Sequence, residues 1–311
     1  MAKRNLLLGF DAFGTLFRIK QPIERQYGDV ARHQFPGLLR ADIGDTQLRA
    51  SFRDAFKAQS RAHPNYGHKP NGEGMGATVW WTQVIHKTFQ PLLGKGQIMP
   101  PELAPQLLAR FASSKGYSMS PKLPELLKRI KKDGATPYGR VVVGVITNSD
   151  DRVPDILSSF GVRVSPLRYG QAVPKETTAS QKQTDNDIDF LCMSYDAGVE
   201  KPDPAIFRAA ESLLPAVMGT RTDLDMDTNM DNWDKVYVGD EASKDVVGAH
   251  AAGWYPVLLT GEEKAEDAVL DNKTVPHLDD NDSKLFSKLF GPPEDKAVFY
   301  TEDVVTFLKW L

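Results

Sequence analysis

Asp11 with Thr15, Thr147 with Asn148, Lys201, and Asp240 with Asp245 are the residues of this chain best suited to chemistry on a charged substrate. Asp11 follows the apolar run Leu6-Leu7-Leu8-Gly9-Phe10 and opens the turn Asp11-Ala12-Phe13-Gly14-Thr15. A carboxylate placed there can attack phosphorus or carbon and form a covalent aspartyl intermediate, dividing one difficult displacement into two easier ones. Attack on an anionic phosphoryl group is unfavourable unless cations screen both partners. Lys201, in Glu200-Lys201-Pro202-Asp203-Pro204, supplies one cation. Each position also has an ordinary reading. Asp before Gly is common in turns, and Lys-Pro-Asp-Pro is a usual lead into a helix, with Asp203 as its cap.

These residues can act together only if the elements before them end in one place. Short apolar runs at residues 6–10, 141–146, 188–193, 235–238 and 255–259 predict fully buried parallel strands. Between them lie helical patterns. Leu123, Leu126, Leu127 and Ile130 share one face of a helix over 122–132, with Ser120 and Pro121 as its start. Val153, Ile156, Leu157 and Phe160 repeat the spacing, as do Ile206, Ala209, Ala210 and Leu213. The alternation predicts an α/β fold with a doubly wound parallel sheet. In such sheets the ligand crevice lies beyond the carboxyl ends of the strands, where side chains remote in sequence converge.

Between the first and second strands lie about 120 residues with no strand signal, which read as a helical insertion. Helices are predicted at 22–34, 46–62, 77–89 and 102–112, and their aromatic stripes read as bundle core. The domain assignment is therefore a core of residues 1–17 and 119–311 with a helical cap of residues 18–118 inserted. The Gly-, Asn- and Pro-rich loop at 64–76 is a candidate lid element. Residues 168–186 and 261–284 read as polar surface segments.

Asp11-x-x-Gly14-Thr15, Thr147-Asn148, Lys201 and Gly239-Asp240-x-x-x-x-Asp245 resemble, in order and in strand context, the four motifs of the haloacid dehalogenase superfamily. Within it, Pro64-Asn65-Tyr66-Gly67, Trp80-Trp81 and Lys201-Pro202-Asp203-Pro204 resemble a eukaryotic group of haloacid dehalogenase-like hydrolases. The resemblance implies a Rossmann-like catalytic core with a helical cap, Asp11 as nucleophile and Lys201 as its charge partner. It also implies Mg2+ as cofactor, held by Asp11, the backbone carbonyl of Phe13 and Asp240, with Asp245 as ligand or supporting partner. A hard ion that prefers oxygen suits that set. Thr15 and Thr147 would hold the transferred oxygens with Asn148 assisting, and Asn65, Tyr66 and Trp81 of the cap would contact the substrate.

Phosphatases of the superfamily carry a second Asp two residues after the nucleophile, to protonate the leaving alkoxide and later activate water; this chain has Phe13. Loss of a general acid costs about 10²–10⁴-fold, or roughly 3–5 kcal/mol. The expected activity is Mg-dependent phosphoryl hydrolysis through an aspartyl-phosphate, weak on alkyl esters and less impaired on acyl or aryl phosphates. The alternative is carbon–halogen hydrolysis, because the superfamily's dehalogenases resemble this chain in an Asp-Ala-Tyr-Gly-Thr motif with an aromatic residue at the same place. They lack the first acid of the last motif, whereas Asp240 is present here. No counterpart of their cap segment Trp-Arg-x-x-Gln-Leu is found; Arg40 and Arg53 read as solvated charges. A catalytically weak relative used for binding is the third reading.

The 311 residues are 41% hydrophobic and 25% charged, with a formal net charge of −3. A near-neutral, slightly acidic chain has no bulk attraction to nucleic acid or anionic lipid, so the expected partner is a small phosphorylated or halogenated molecule. Cys192, the single cysteine, reads as a buried strand residue. No disulfide is then possible within one chain, and a cytoplasmic location is expected, with the nucleus left open. The alternating acids at 223–231 lack the Gly and Glu of a calcium loop. His250 reads as packed. A C-terminal helix is predicted over 301–311 with Glu302 and Asp303 in its first turn.

Overall fold

The computed structural model describes residues 3–69, 74–132, 134–171, 186–219, 230–261, 269–270, 273–274 and 299–311. The polar segments expected at 168–186, 223–234 and 261–284, and the lid candidate at 64–76, fall partly or wholly outside these residues. The chain divides into two compact units. One comprises Met1–Arg18, Met119–Ser149 and Gly161–Leu311; the other comprises Ile19–Ser118 and Asp150–Phe160. Residues 150–160 thus group with the helical unit, and not with the sheet to which the sequence assigned them.

The strands are β1 (Asn5–Phe10), β2 (Arg18–Ile19), β3 (Tyr117–Ser118), β4 (Val141–Thr147), β5 (Phe190–Met193), β6 (Trp233–Gly239), β7 (Tyr255–Leu259), β8 (Val269–Leu270), β9 (Lys273–Thr274) and β10 (Phe299–Thr301). Six of them form one sheet in the order β10-β7-β6-β1-β4-β5, and every pairing in it is parallel. Every residue of β1 and β4 is buried, as expected of strands covered on both faces. Leu7, Val142, Ile146, Phe190, Cys192, Phe207, Tyr237 and Trp254 belong to one core cluster on this sheet. The chain runs from β1 to β4 and β5 on one side, then returns past them to β6, β7 and β10 on the other. Strand order therefore reverses beside β1, the place where such sheets bind ligands.

The helices flanking this sheet are α5 (Leu123–Ile130), α7 (Ser194–Ala197), α8 (Ala205–Glu211), α9 (Leu214–Gly219), α10 (Val247–Ala251) and α11 (Val304–Trp310), and the other unit holds α1 (Ile23–Gln34), α2 (Asp45–Ala62), α3 (Gly76–Phe89), α4 (Leu103–Arg110) and α6 (Val153–Ser159). Four expectations are corrected. Thr301 ends strand β10; the last helix begins at Val304, capped by the Asp303 carboxylate accepting from Thr306 N–H at 2.7 Å. The helix at 122–132 starts at Leu123, and Ser120 lends only a backbone carbonyl to it. The inserted segment is not free of strand, because β2 and β3 pair as a small ribbon at its two ends. His250 is exposed. In the helical unit the aromatic stripes are core: Tyr27 stacks on Phe89 with ring centroids 5.8 Å apart, and Trp80 packs edge-on to Phe56 at 5.4 Å.

Candidate active site

The register of β1 places Phe10 opposite Val238 of β6 and Val145 of β4. Asp11 continues the ladder by one bond, its N–H donating to the Val238 carbonyl at 2.9 Å, so its carboxylate leaves the sheet at the strand ends. Gly14 must then turn sharply with φ +83°, a conformation costly for any residue with a Cβ, and an added Cβ would overlap the Asp240 carboxylate. Gly239 is needed for a similar reason, since a Cβ there would run into the side chain of Asp245. The two glycines are what let the acids of different loops crowd together.

Lys201 Nζ lies 2.8 Å from Asp11 Oδ1 and 2.7 Å from Asp245 Oδ1. It is 3% exposed, Asp11 6% and Asp245 2%, so these charges meet with little solvent screening. Burial opposes the ammonium form, but the two facing carboxylates outweigh it and hold the Lys201 pKa above its usual value. Asp245 Oδ2 also accepts from Glu241 N–H at 2.9 Å, which fixes the carboxylate on its loop. Burial, and then the charge of Asp11, hold the Asp245 pKa above normal despite Lys201. Thr15 Oγ1 donates to Asp240 Oδ1 at 3.3 Å. Asn148 grips the Lys201 backbone from both sides: its Nδ2 donates to the carbonyl at 2.9 Å and its Oδ1 accepts from the N–H at 2.7 Å. The amide thus holds the lysine loop by both its nitrogen and its oxygen. Thr147 is buried at the last position of β4.

Carboxylate oxygens of Asp11, Asp240 and Asp245 all lie within 4.8 Å of one another. These hard oxygen donors, with one lysine among three acids, fit a small divalent cation. Asp11 Oδ1 is already paired with the Lys201 ammonium at 2.8 Å, so one cation is shared among three acids. Asp240 is pushed up to about 6 by burial first and then by the charges of Asp11, Asp245 and Glu241, with the Thr15 hydroxyl opposing. An acid raised in the folded state contributes stability that is full below its ordinary value of 3.8 and is lost as pH rises through about 6. A bound cation needs the ionised form and reverses that slope. The thermal shift that magnesium produces should therefore be large near neutral pH and shrink below pH ~6, as scanning fluorimetry with and without the ion would measure. A shift independent of pH would count against Asp240 as a ligand.

One member of the cluster is not signalled by any motif. Tyr237, in β6 and fully buried, has its hydroxyl 2.8 Å from Lys201 Nζ and donates to the Ile146 carbonyl at 2.6 Å. Its strand position reads as core; only the hydroxyl, which a buried Phe would lack, hints at the role. Tyr237→Phe should leave the fold intact and reduce turnover about tenfold, because the ammonium loses one of the three oxygens that orient it. Steady-state kinetics beside a melting curve would check this. The expected cap contacts belong to the helical unit. Tyr66, at φ +53°, packs edge-on to Trp80 at 5.3 Å, Asn65 has φ +48°, and the Trp81 indole donates to Asp150 Oδ2 at 2.7 Å.

The ends of this parallel sheet's strands gather three acids and a lysine, an arrangement that suits a class of hydrolases. The chain belongs to the haloacid dehalogenase-like hydrolase family, whose model matches residues 7–253. It is similar to haloacid dehalogenase-like hydrolase domain-containing protein 3 of Bos taurus, 29% identical over 275 residues that cover 87% of this chain and 88% of that protein. The Homo sapiens protein of that name is 27% identical over 274 residues, 88% of each chain. Among solved structures, a 2-haloacid dehalogenase from Pseudomonas syringae pv. Tomato superposes with a TM-score of 0.52 at 18% identity, covering 100% of this chain and 98% of that one. A defluorinating L-2-haloacid dehalogenase gives 0.53 at 13% identity, with 99% and 95% covered. At these identities the structures share the fold. No helix among the described residues is long and apolar enough to cross a membrane.

Proposed function

We propose that this hydrolase cleaves small acyl or aryl phosphates with magnesium, through a phosphoryl group carried on Asp11. The observation that supports it best is charge. Three carboxylates cluster with a single ammonium, which pairs with two of them, an arrangement that needs a further cation before it can receive a phosphoryl anion. Magnesium bound by Asp11, Asp240, Asp245 and the Phe13 carbonyl would neutralise the phosphoryl oxygens.

The chain's own residues do the rest. Asp11 attacks phosphorus as the bond to the leaving oxygen breaks, and Lys201 pairs with both Asp11 and Asp245. Thr15 and Thr147 offer hydroxyls to the transferred oxygens, and Tyr237 and Asn148 hold the lysine. Phe13 offers no proton. Its ring packs edge-on to Phe17, with centroids 4.8 Å apart. A carboxylate or phenolate leaves unaided, whereas an alkoxide does not. Water must then attack the aspartyl-phosphate without a carboxylate at position 13 to activate it, so this second step limits turnover. Asn65, Tyr66 and Trp81 remain candidates for substrate specificity. The most informative assay offers acetyl phosphate, para-nitrophenyl phosphate and 2-chloropropionate, each with and without magnesium. Metal-dependent phosphate release, with an initial burst of para-nitrophenol and complete loss in Asp11→Asn, is the expected result. Metal-independent chloride release would replace this reading with carbon–halogen hydrolysis, and no turnover on any of the three with a binding role.

A further inference from the structure

The ribbon of β2 and β3 joins the two ends of the inserted segment, and residues beside it enclose a polar cavity of about 270 Å³. Lys20 and Gln21 follow β2, Gln26 and Asp29 lie on α1, Arg110 ends α4 and Lys115 precedes β3. All six belong to Ile19–Ser118, so the cavity is formed within one unit. The Lys20 N–H donates to the Gly116 carbonyl at 3.1 Å, which ties the two flanks together.

Three cations and one acid line this cavity, an excess of two positive charges. None of Lys20, Arg110 and Lys115 forms an ion pair among the described residues. Arg110 is held instead by neutral oxygens: its Nη1 donates to Gln26 Oε1 at 3.4 Å and to the Lys115 carbonyl at 3.1 Å. Gln26 is 1% exposed, and its Nε2 donates to the carbonyls of Gln21 at 2.8 Å and Gly116 at 3.1 Å. Those two bonds turn the amide oxygen toward the guanidinium. A glutamate at that place would neutralise Arg110; the glutamine fixes the guanidinium and leaves its charge uncompensated. Solvent screens Lys20 and Lys115, which are exposed, but screens the half-buried Arg110 less. With Nη1 engaged, the Nε and Nη2 donors form the edge left for an outside acceptor, and they match two oxygens of a phosphate. Like charges gathered around a cavity repel, and a dianion among them removes that cost.

We propose that this cavity is a binding site for a phosphate-class dianion, formed by none of the residues around Asp11. Arg110 and Lys115 hold the oxyanion with Lys20, and Gln26 positions Arg110. The binding requires neither magnesium nor any step of the reaction proposed above.

Inorganic phosphate titrated by calorimetry into the metal-free wild-type protein, with ionic strength held constant by chloride, should bind saturably at one site. Without a metal the acid cluster around Asp11 repels the ion, so Asp11→Asn should not weaken this binding. Arg110→Gln and Lys115→Gln should each weaken it about tenfold, the loss expected for one charged hydrogen-bonded contact. Lys115 is exposed, so its variant should melt with the wild type and keeps the test valid where Arg110→Gln fails to fold. Phenyl phosphate in place of inorganic phosphate distinguishes the source: Arg110-dependent binding of the ester means that the cavity admits phosphorylated molecules, and binding of inorganic phosphate alone means that it takes the free ion. Either result supports the site. Heats no different from those of chloride, or phosphate binding that both cation variants leave unchanged, would overturn it.

Discussion

Lys201→Met is expected to abolish measurable turnover and to lower the stability of the sheet unit by about 3–5 kcal/mol at neutral pH, the usual cost of removing one partner from a buried ion pair. The side chains of Lys201 and Asp245 are each 2% exposed and that of Asp11 9%, so solvent does little to replace the lost ammonium. Asp11 and Asp245 would face each other across a methionine of similar length with no ammonium between them. Urea denaturation of the variant beside the wild type at neutral pH would measure the loss. A variant as stable as the wild type at neutral pH would mean that the lysine is not the charge partner described.

Phe13→Asp should have the largest gain. Supplying the absent acid should raise hydrolysis of a simple alkyl phosphate by about 10²-fold or more, within the range general acids contribute. Aryl and acyl phosphates should change little in their first step. The setting favours the new group. Its neighbour Gly14 already sits against Asp240, so a fourth carboxylate would feel like charges that raise its pKa and keep it protonated when the leaving oxygen needs a proton. Losing the edge-on contact with Phe17 costs about 0.5–1.5 kcal/mol, too little to unfold the protein. A folded, magnesium-binding variant with unchanged alkyl-phosphate kinetics would remove position 13 from the account.

The strands were legible in the sequence because their burial is complete on both faces. Leu6 to Leu8 and Val141 to Val143 are apolar without alternation, and no surface element reads that way. The acids and the lysine were legible because each follows such a run. Tyr237 was not, since within a strand a tyrosine facing the core cannot be told from one facing a reactive lysine. Strand β10 was missed because three residues, Phe299 to Thr301, are too few to show a period and run directly into a helix. The ribbon of β2 and β3 was missed because each has two residues and Arg18 and Ile19 are exposed. The bond between Trp81 and Asp150 joins residues 69 positions apart, and no local spacing announces it.

The division of the chain into units also constrains how such a protein can be taken apart. The peptide passes from one unit to the other at 18/19, 118/119, 149/150 and 160/161, so the helical unit is not a single cassette. Excising residues 19–118 would leave α6 orphaned within the remainder, with Val153, Ile156 and Leu157, now fully buried, deprived of their neighbours. Any lineage that exchanged or discarded the helices would have had to rewrite the stretch after β4 as well, which ties the inheritance of the insertion to that of the loop carrying Asn148.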